Sequence, residues 1–199
     1  MIEEDFKISN NSGTENREEE IPESEILKNI LITGTPGVGK TSMSILLADE
    51  IKNSLGLDYT VINVGELIHK SKLYDNWNND FDVPEFNEDK VLDALECVKD
   101  GGYIVDFHTA DFFPEHWFKL VVLLRCNNTE LYDRLNQRGY KEKKITENIE
   151  CEIMDVLADE VKNSYSSSRI IELNNEKIDD MQDNIQKIVL KYKEVLERK

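Results

Sequence analysis

From Asn29 onward, short unbroken apolar runs alternate with longer stretches in which apolar residues recur every three or four positions. The runs are Ile30–Thr33, Tyr59–Asn63, Tyr103–Asp106, Leu120–Arg125 and Arg169–Leu173, each rich in Val, Ile or Leu and without polar alternation. Strands buried on both faces need that uniform polarity, so these runs read as a parallel sheet covered on either side. Helices are expected at Lys40–Leu55, Gly65–Lys72, Glu88–Lys99, Thr129–Arg138, Thr146–Ser164 and Asp180–Arg198. The last places Met181, Ile185, Ile188, Val189 and Tyr192 on one stripe that docks on a core. Strand–helix alternation of this kind argues for a three-layer α/β domain spanning 29–199.

Residues 1–28 break the pattern. They carry nine acidic residues against three basic ones and no sustained apolar period. Such a segment buries too little surface to offset its ordering entropy, so a disordered acidic tail is expected there. The acidity continues through the chain: 24 Lys and Arg against 41 Asp and Glu give a net charge of −17 in 199 residues. A field of that sign repels nucleic-acid backbones and suits a basic protein partner. The first thirty residues lack an apolar core for a signal peptide, and no apolar run reaches the length of a membrane span. Cys97, Cys126 and Cys151 form no CxxC pair, which argues against a zinc site or disulfide framework and for a reducing compartment.

The strongest chemical feature is Gly34-Thr-Pro-Gly37-Val-Gly39-Lys40-Thr41, directly after the first apolar run. It fits G-x-x-x-x-G-K-[ST], a loop whose backbone N–H groups turn inward on phosphate oxygens at the start of a helix. Lys40 is then placed to reach the β- and γ-phosphates, and the Thr41 hydroxyl to ligate Mg²⁺. A nucleoside triphosphate site follows. A GTPase is disfavoured, because the nearest text to N-K-x-D is Asn175-Glu-Lys-Ile-Asp179, and Asp106 is followed by Phe-His-Thr rather than a D-x-x-G switch.

Asp106 closes Tyr103-Ile-Val-Asp106, which suits either a strand-end cap or a Walker B carboxylate that holds Mg²⁺. His108, two residues on, lies on the same side if the strand continues; a solvent-facing turn histidine is the alternative. Arg134 and Arg138 share a helix face, followed by the basic, glycine-hinged Gly139-Tyr-Lys-Glu-Lys-Lys144. That run suits either a lid over triphosphate or a solvated helix end.

Taken together, the chain from Asn29 to Leu196 resembles the adenylate kinase isoenzyme 6 family, nuclear adenylate kinases and ATPases linked to maturation of the small ribosomal subunit. The likeness is carried by Asn29–Thr41, Ile62-Asn-Val-Gly-Glu-Leu67, Leu73-Tyr-Asp75 and Asn87-Glu-Asp-Lys-Val91. It continues through Gly101–His108, Asp111–Phe118 and Arg138–Lys144. The Val-Asp-Phe-His and Asp-Phe-Phe-Pro-Glu segments, in that order, are its most specific part. The resemblance implies a P-loop NTPase fold: a five-stranded parallel sheet, a nucleoside-monophosphate-binding insert over about 63–86 and a short lid over about 137–147. It implies Mg²⁺-dependent phosphoryl transfer from ATP to AMP giving two ADP, with ATPase activity. As an alternative it implies an ATP-hydrolysing assembly factor with a basic ribosomal protein as partner, in nucleus and cytoplasm. A monomer is expected. The family's ATP-contacting positions fall on Gly37, Gly39, Lys40, Thr41, Ser42, Arg138 and Lys177, its Walker B Asp on Asp106 and its catalytic His on His108. Without the resemblance, Lys177 reads as a surface residue. One departure bears on AMP: no arginine occurs between Lys40 and Arg125, where relatives clamp the acceptor phosphate. Lys70 or Lys72 stands nearby, as a point charge without the guanidinium fork.

Overall fold

In the computed structural model the chain is described over residues 28–197, apart from 80 and 82. The expected tail therefore lies outside the described residues but for Lys28. Five parallel strands, β1 (Asn29–Thr33), β2 (Thr60–Asn63), β5 (Tyr103–Asp106), β6 (Phe118–Arg125) and β7 (Ile170–Asn174), form one sheet in the order β2-β5-β1-β6-β7. A second, two-stranded antiparallel sheet pairs β3 (Tyr74–Asn78) with β4 (Val83–Phe86). The helices are α1 (Lys40–Leu55), α2 (Val64–Ser71), α3 (Glu88–Ala94), α4 (Asn128–Gln137), α5 (Glu142–Ile153), α6 (Val156–Ser164) and α7 (Ile178–Glu197).

Uniformly apolar strands work here because each strand feeds two cores. Ile30 and Ile32 of β1 pack with Met43, Leu47 and Ile51 of α1 and with Ile188 and Tyr192 of α7. Leu31, between them, faces Val64 and Ile68 of α2, Val91 of α3 and Val161 of α6. That is the three-layer arrangement expected from the pattern. The Tyr192 and Tyr59 hydroxyls both donate to the Lys28 carbonyl, at 2.8 and 2.9 Å, and so tie α7 to the entry of β1.

Three elements differ from the sequence expectation. The helix expected at Glu88–Lys99 stops at Ala94 and continues as a single 3-10 turn over Glu96–Asp100. The single helix expected at Thr146–Ser164 is two, α5 and α6, broken at Asp155, which adopts a left-handed φ of 55°. Arg125 holds that break: its Nη2 donates to the Glu152 carbonyl at 3.0 Å and to Asp155 Oδ1 at 2.6 Å. Helical periodicity carries no trace of a contact made from β6. The hairpin β3–β4 was not expected either, because its residues Tyr74-Asp-Asn-Trp-Asn78 are mostly polar and exposed on both faces. Among the described residues, no helix is long and apolar enough to cross a membrane.

The parallel order brings all five strand ends to one edge. There the P-loop leaves β1, Asp106 ends β5 and Asn63 ends β2, in the parallel register Asn63↔Asp106. Ligand crevices of open α/β sheets form at that edge. The segment 63–86 folds as α2 and the hairpin. Of 137–147, Gly139 takes a left-handed turn (φ 73°) after α4, and α5 starts at Glu142.

Candidate active site

The P-loop connects β1 to α1 through glycines at Gly34, Gly37 and Gly39, all with positive φ. All three also face crowding. A Cβ at Gly34 would stand 2.3 Å from the Leu124 carbonyl oxygen, one at Gly37 2.7 Å from Leu131 Cδ1 and one at Gly39 2.6 Å from Asn175 Nδ2. The loop is thus moulded against β6 and the loop after β7, as close backbone approach requires.

Of the residues expected at the site, Gly37, Gly39, Lys40, Thr41, Ser42, Asp106, His108 and Arg138 all line one cleft of about 720 Å³. Lys177 does not. It is exposed before α7, where its N–H donates to Asp180 Oδ2 at 2.8 Å.

Lys40 Nζ donates to the Gly34 and Thr35 carbonyls at 2.7 and 3.2 Å. Removal from water lowers its pKa to about 8, against the opposing pull of Asp106. Thr41 Oγ1 donates to Asp106 Oδ2 at 2.6 Å. Burial raises the Asp106 carboxyl, while the Thr41 hydrogen bond, Lys40 and the Asn63 amide pull it back down. His108 reaches the cleft by another route than a continued strand. β5 ends at Asp106, Phe107 turns into the aromatic cluster, and the chain bends at His108. His108 is an exposed residue, yet it lines the concavity, where surrounding atoms displace part of the water around its ring. That desolvation, with Lys40 and Lys144 close by, lowers its pKa to about 4 and keeps the ring neutral at physiological pH. The loop after it is held from α6, where Glu160 Oε1 accepts from Thr109 Oγ1 at 2.7 Å and from the Asp111 N–H at 3.1 Å.

Arg134 of α4 and Arg138, which caps that helix, divide their work. Arg138 lines the cleft, whereas Arg134 braces it from behind. Arg134 donates to the carbonyls of Gly37 (3.4 Å), Asn175 (3.0 Å) and Glu176, and so locks the P-loop to the loop after β7. Replacing Arg134 with Ala is expected to cost about 2 kcal/mol of stability and to weaken nucleotide binding, since three carbonyls lose a charged donor. Chemical denaturation and nucleotide titration of the purified variant check both.

Three further residues were not singled out from sequence, and a fourth, Lys144, entered only as the last residue of the basic run expected as a lid. Asn63 donates through Nδ2 to Asp106 Oδ2 (2.8 Å) and Thr41 Oγ1 (3.1 Å), while its Oδ1 caps α2 by accepting the Glu66 N–H (2.8 Å). The Asn63-Val-Gly-Glu66 spacing of an N-terminal capping box was the available signal. Asn175, buried, donates from Nδ2 to the Val38 carbonyl at 2.7 Å and pins the P-loop. Glu152 accepts from the Thr35 hydroxyl of the P-loop and from Arg125 Nε (2.7 Å). Lys144 lines the cleft from α5 and lies over the Tyr140 ring.

One wall of the cleft is built by Asn63, Gly65, Ile68 and His69 from α2 and its entry, and by Val83 and Phe86 of the hairpin. Lys70 faces outward, paired with Glu66 at 2.7 Å, and Lys72 is the exposed left-handed cap of α2. Among the described residues, the Lys and Arg side chains lining the cleft are Lys40, Arg138 and Lys144. Lys144 comes from α5, and among the described residues no Lys or Arg lining the cleft comes from α2 or the hairpin.

The model of a family described as an AAA domain matches residues 30–155. A Caenorhabditis elegans protein named adenylate kinase isoenzyme 6 homolog is 39% identical over 170 residues, covering 84% of this chain and 90% of the relative. A Dictyostelium discoideum protein of the same name is 41% identical over 157 residues, covering 78% and 86%. Among solved structures, a shikimate kinase from Bacteroides thetaiotaomicron aligns with a TM-score of 0.55 over 81% of this chain and 96% of that one. At 14% identity the likeness to it is one of fold alone.

Proposed function

Since the chain belongs to the adenylate kinase isoenzyme 6 family, we propose that it transfers the γ-phosphoryl group of ATP to AMP, giving two ADP. The observation that carries this reading is the convergence of Lys40, the Thr41–Asp106 pair and Arg138 on one cleft whose far wall is α2 and the hairpin. Phosphoryl transfer asks for little covalent chemistry from the protein and much positioning and charge stabilisation. Inward-turned P-loop N–H groups hold the donor phosphates. Lys40 gives up its carbonyl partners for phosphate oxygens, and Arg138 approaches the transferring group from the opposite side. Lys144 faces the acceptor phosphate. Lys177 and the loop before α7 border the donor base.

Thr41 Oγ1 and Asp106 are a pair of hard oxygen donors, one of them a desolvated carboxylate whose charge calls for a cation, which fits Mg²⁺. Held by Thr41 and Asp106, Mg²⁺ would supply charge neutralisation to the phosphates. His108, neutral, offers a hydrogen bond to the acceptor or the lid without adding charge.

A second reading has its own support. With no Lys or Arg of the insert lining the acceptor wall among the described residues, AMP is held less firmly than the donor, which favours ATP hydrolysis. An ATPase serving small-subunit assembly, in nucleus and cytoplasm, fits a chain of net charge −17 that suits a basic ribosomal protein. Product stoichiometry with Mg²⁺-ATP separates the two. Two ADP per ATP, appearing only when AMP is present, supports the kinase; phosphate release independent of AMP overturns it in favour of the ATPase.

A further inference from the structure

Asn63 joins two parts of the molecule that the proposed reaction must bring into step. Its backbone ends β2 beside Asp106 at the end of β5, a placement set by the sheet register. From there the planar amide works in both directions. Nδ2 bonds Asp106 Oδ2 and Thr41 Oγ1, the two groups fit for the metal, while Oδ1 holds the first turn of α2 through the Glu66 N–H. Few side chains can do this. Asp caps a helix but has no proton to give, and Ser caps it with an atom too close to the backbone to reach Asp106. Two residues on, Gly65 leaves the amide room: a Cβ there would lie 3.3 Å from Asn63 Oδ1, tight contact with the capping oxygen.

Helix α2 is also a wall of the acceptor side, to which it contributes Gly65, Ile68 and His69. A shift of α2 moves the Glu66 N–H, and the rigid amide passes that shift to Asp106 Oδ2 and Thr41 Oγ1. We propose that Asn63 is a positioning residue that couples seating of the acceptor against α2 to the alignment of the Thr41–Asp106 pair. Acceptor and metal–nucleotide then raise each other's affinity, since linkage makes the effect reciprocal. The proposal rests on the AMP kinase reading given above.

The test separates the cap from the coupling. Asn63→Ser keeps a good N-cap for α2 and removes the amide donor. Calorimetric titration measures the affinity of a non-hydrolysable Mg²⁺-ATP analogue with and without saturating AMP, for the wild type and the variant. The wild type is expected to gain about tenfold in affinity with AMP, within the usual range of coupling between sites. In Asn63→Ser that factor falls toward one, while the melting temperature stays within about 2 °C because the cap survives. Asn63→Asp, which caps α2 but places a second carboxylate beside Asp106, loses the coupling too and serves if the Ser variant does not fold. A variant that retains the wild-type factor overturns the proposal, as does a wild type that binds AMP with no effect on the analogue. A wild type that binds no AMP overturns the underlying kinase reading instead.

Discussion

Lys40→Met is expected to lower turnover by about three orders of magnitude or more while leaving the protein folded. On the proposed mechanism the lysine is the P-loop cation at the transferring group, and removing one preorganised donor in a water-poor site typically costs about two to three decades, with cationic contacts to a phosphoryl group costing more. The fold tolerates the loss for a physical reason. Lys40 is desolvated, and among the described residues its ammonium bonds the Gly34 and Thr35 carbonyls, so its charge is a burden on stability. The sign of the pH effect follows. Above pH 8 the folded lysine sheds its proton while the unfolded one keeps it up to its ordinary value near 10.5, so wild-type stability attributable to this residue rises across that window. The variant should therefore melt at or above the wild-type temperature at neutral pH, with the gap narrowing as pH rises from 8 to 10.5. Turnover within tenfold of the wild type would remove the P-loop lysine from the mechanism.

The largest effect on stability is expected from Glu152→Ala. The carboxylate is buried, with its side chain 5% exposed, and it joins the Thr35 hydroxyl of the P-loop to Arg125, itself 17% exposed. A third bond, from the Cys126 N–H at 3.3 Å, completes its surroundings. Removing one member of a buried ion pair strands the other, at a cost of about 3–5 kcal/mol. Asp155 and Glu172 still neutralise Arg125, at 2.6 and 3.0 Å, which places the expectation near the lower end, about 3 kcal/mol. Glu172→Ala is the control. Its side chain is 40% exposed, so the same arginine loses a partner at a cost of about 0.5 kcal/mol. Urea denaturation of both variants measures the difference, and equal losses would show that burial of Glu152 is not what makes it matter. Nucleotide affinity should fall with Glu152→Ala as well, because Thr35 loses its fastening to α5.

Each of these residues was legible to a different degree. Lys40 stands out in one line of sequence because phosphate recognition by backbone N–H groups needs glycines at set spacings, and spacing along the chain is what a sequence records. Glu152 does not stand out. It lies in a stretch of ordinary helical period, and its burial, its arginine and its P-loop threonine come from three other places in the chain. Asn63 falls between the two: its cap on α2 is a local signal, but the bonds to Thr41 and Asp106 cross 22 and 43 residues. The arginine missing from the insert shows the same division. Its absence is readable directly, whereas the arrival of Lys144 at the cleft from α5 depends on how α4 and α5 turn at Gly139.

By itself, then, the sequence determined the properties that follow from order along the chain. These are the five strands of a sheet that feeds a core on each face, the phosphate loop, the carboxylate at the end of β5 and the family. Tertiary structure alone decided which of several plausible cations face the cleft, where the long helix breaks, and what holds the P-loop and Asp106 in place. The physical reason is range. Backbone conformation and phosphate-loop geometry are set within a few neighbouring residues, while the charge and orientation of a buried group are set by whatever the fold packs against it.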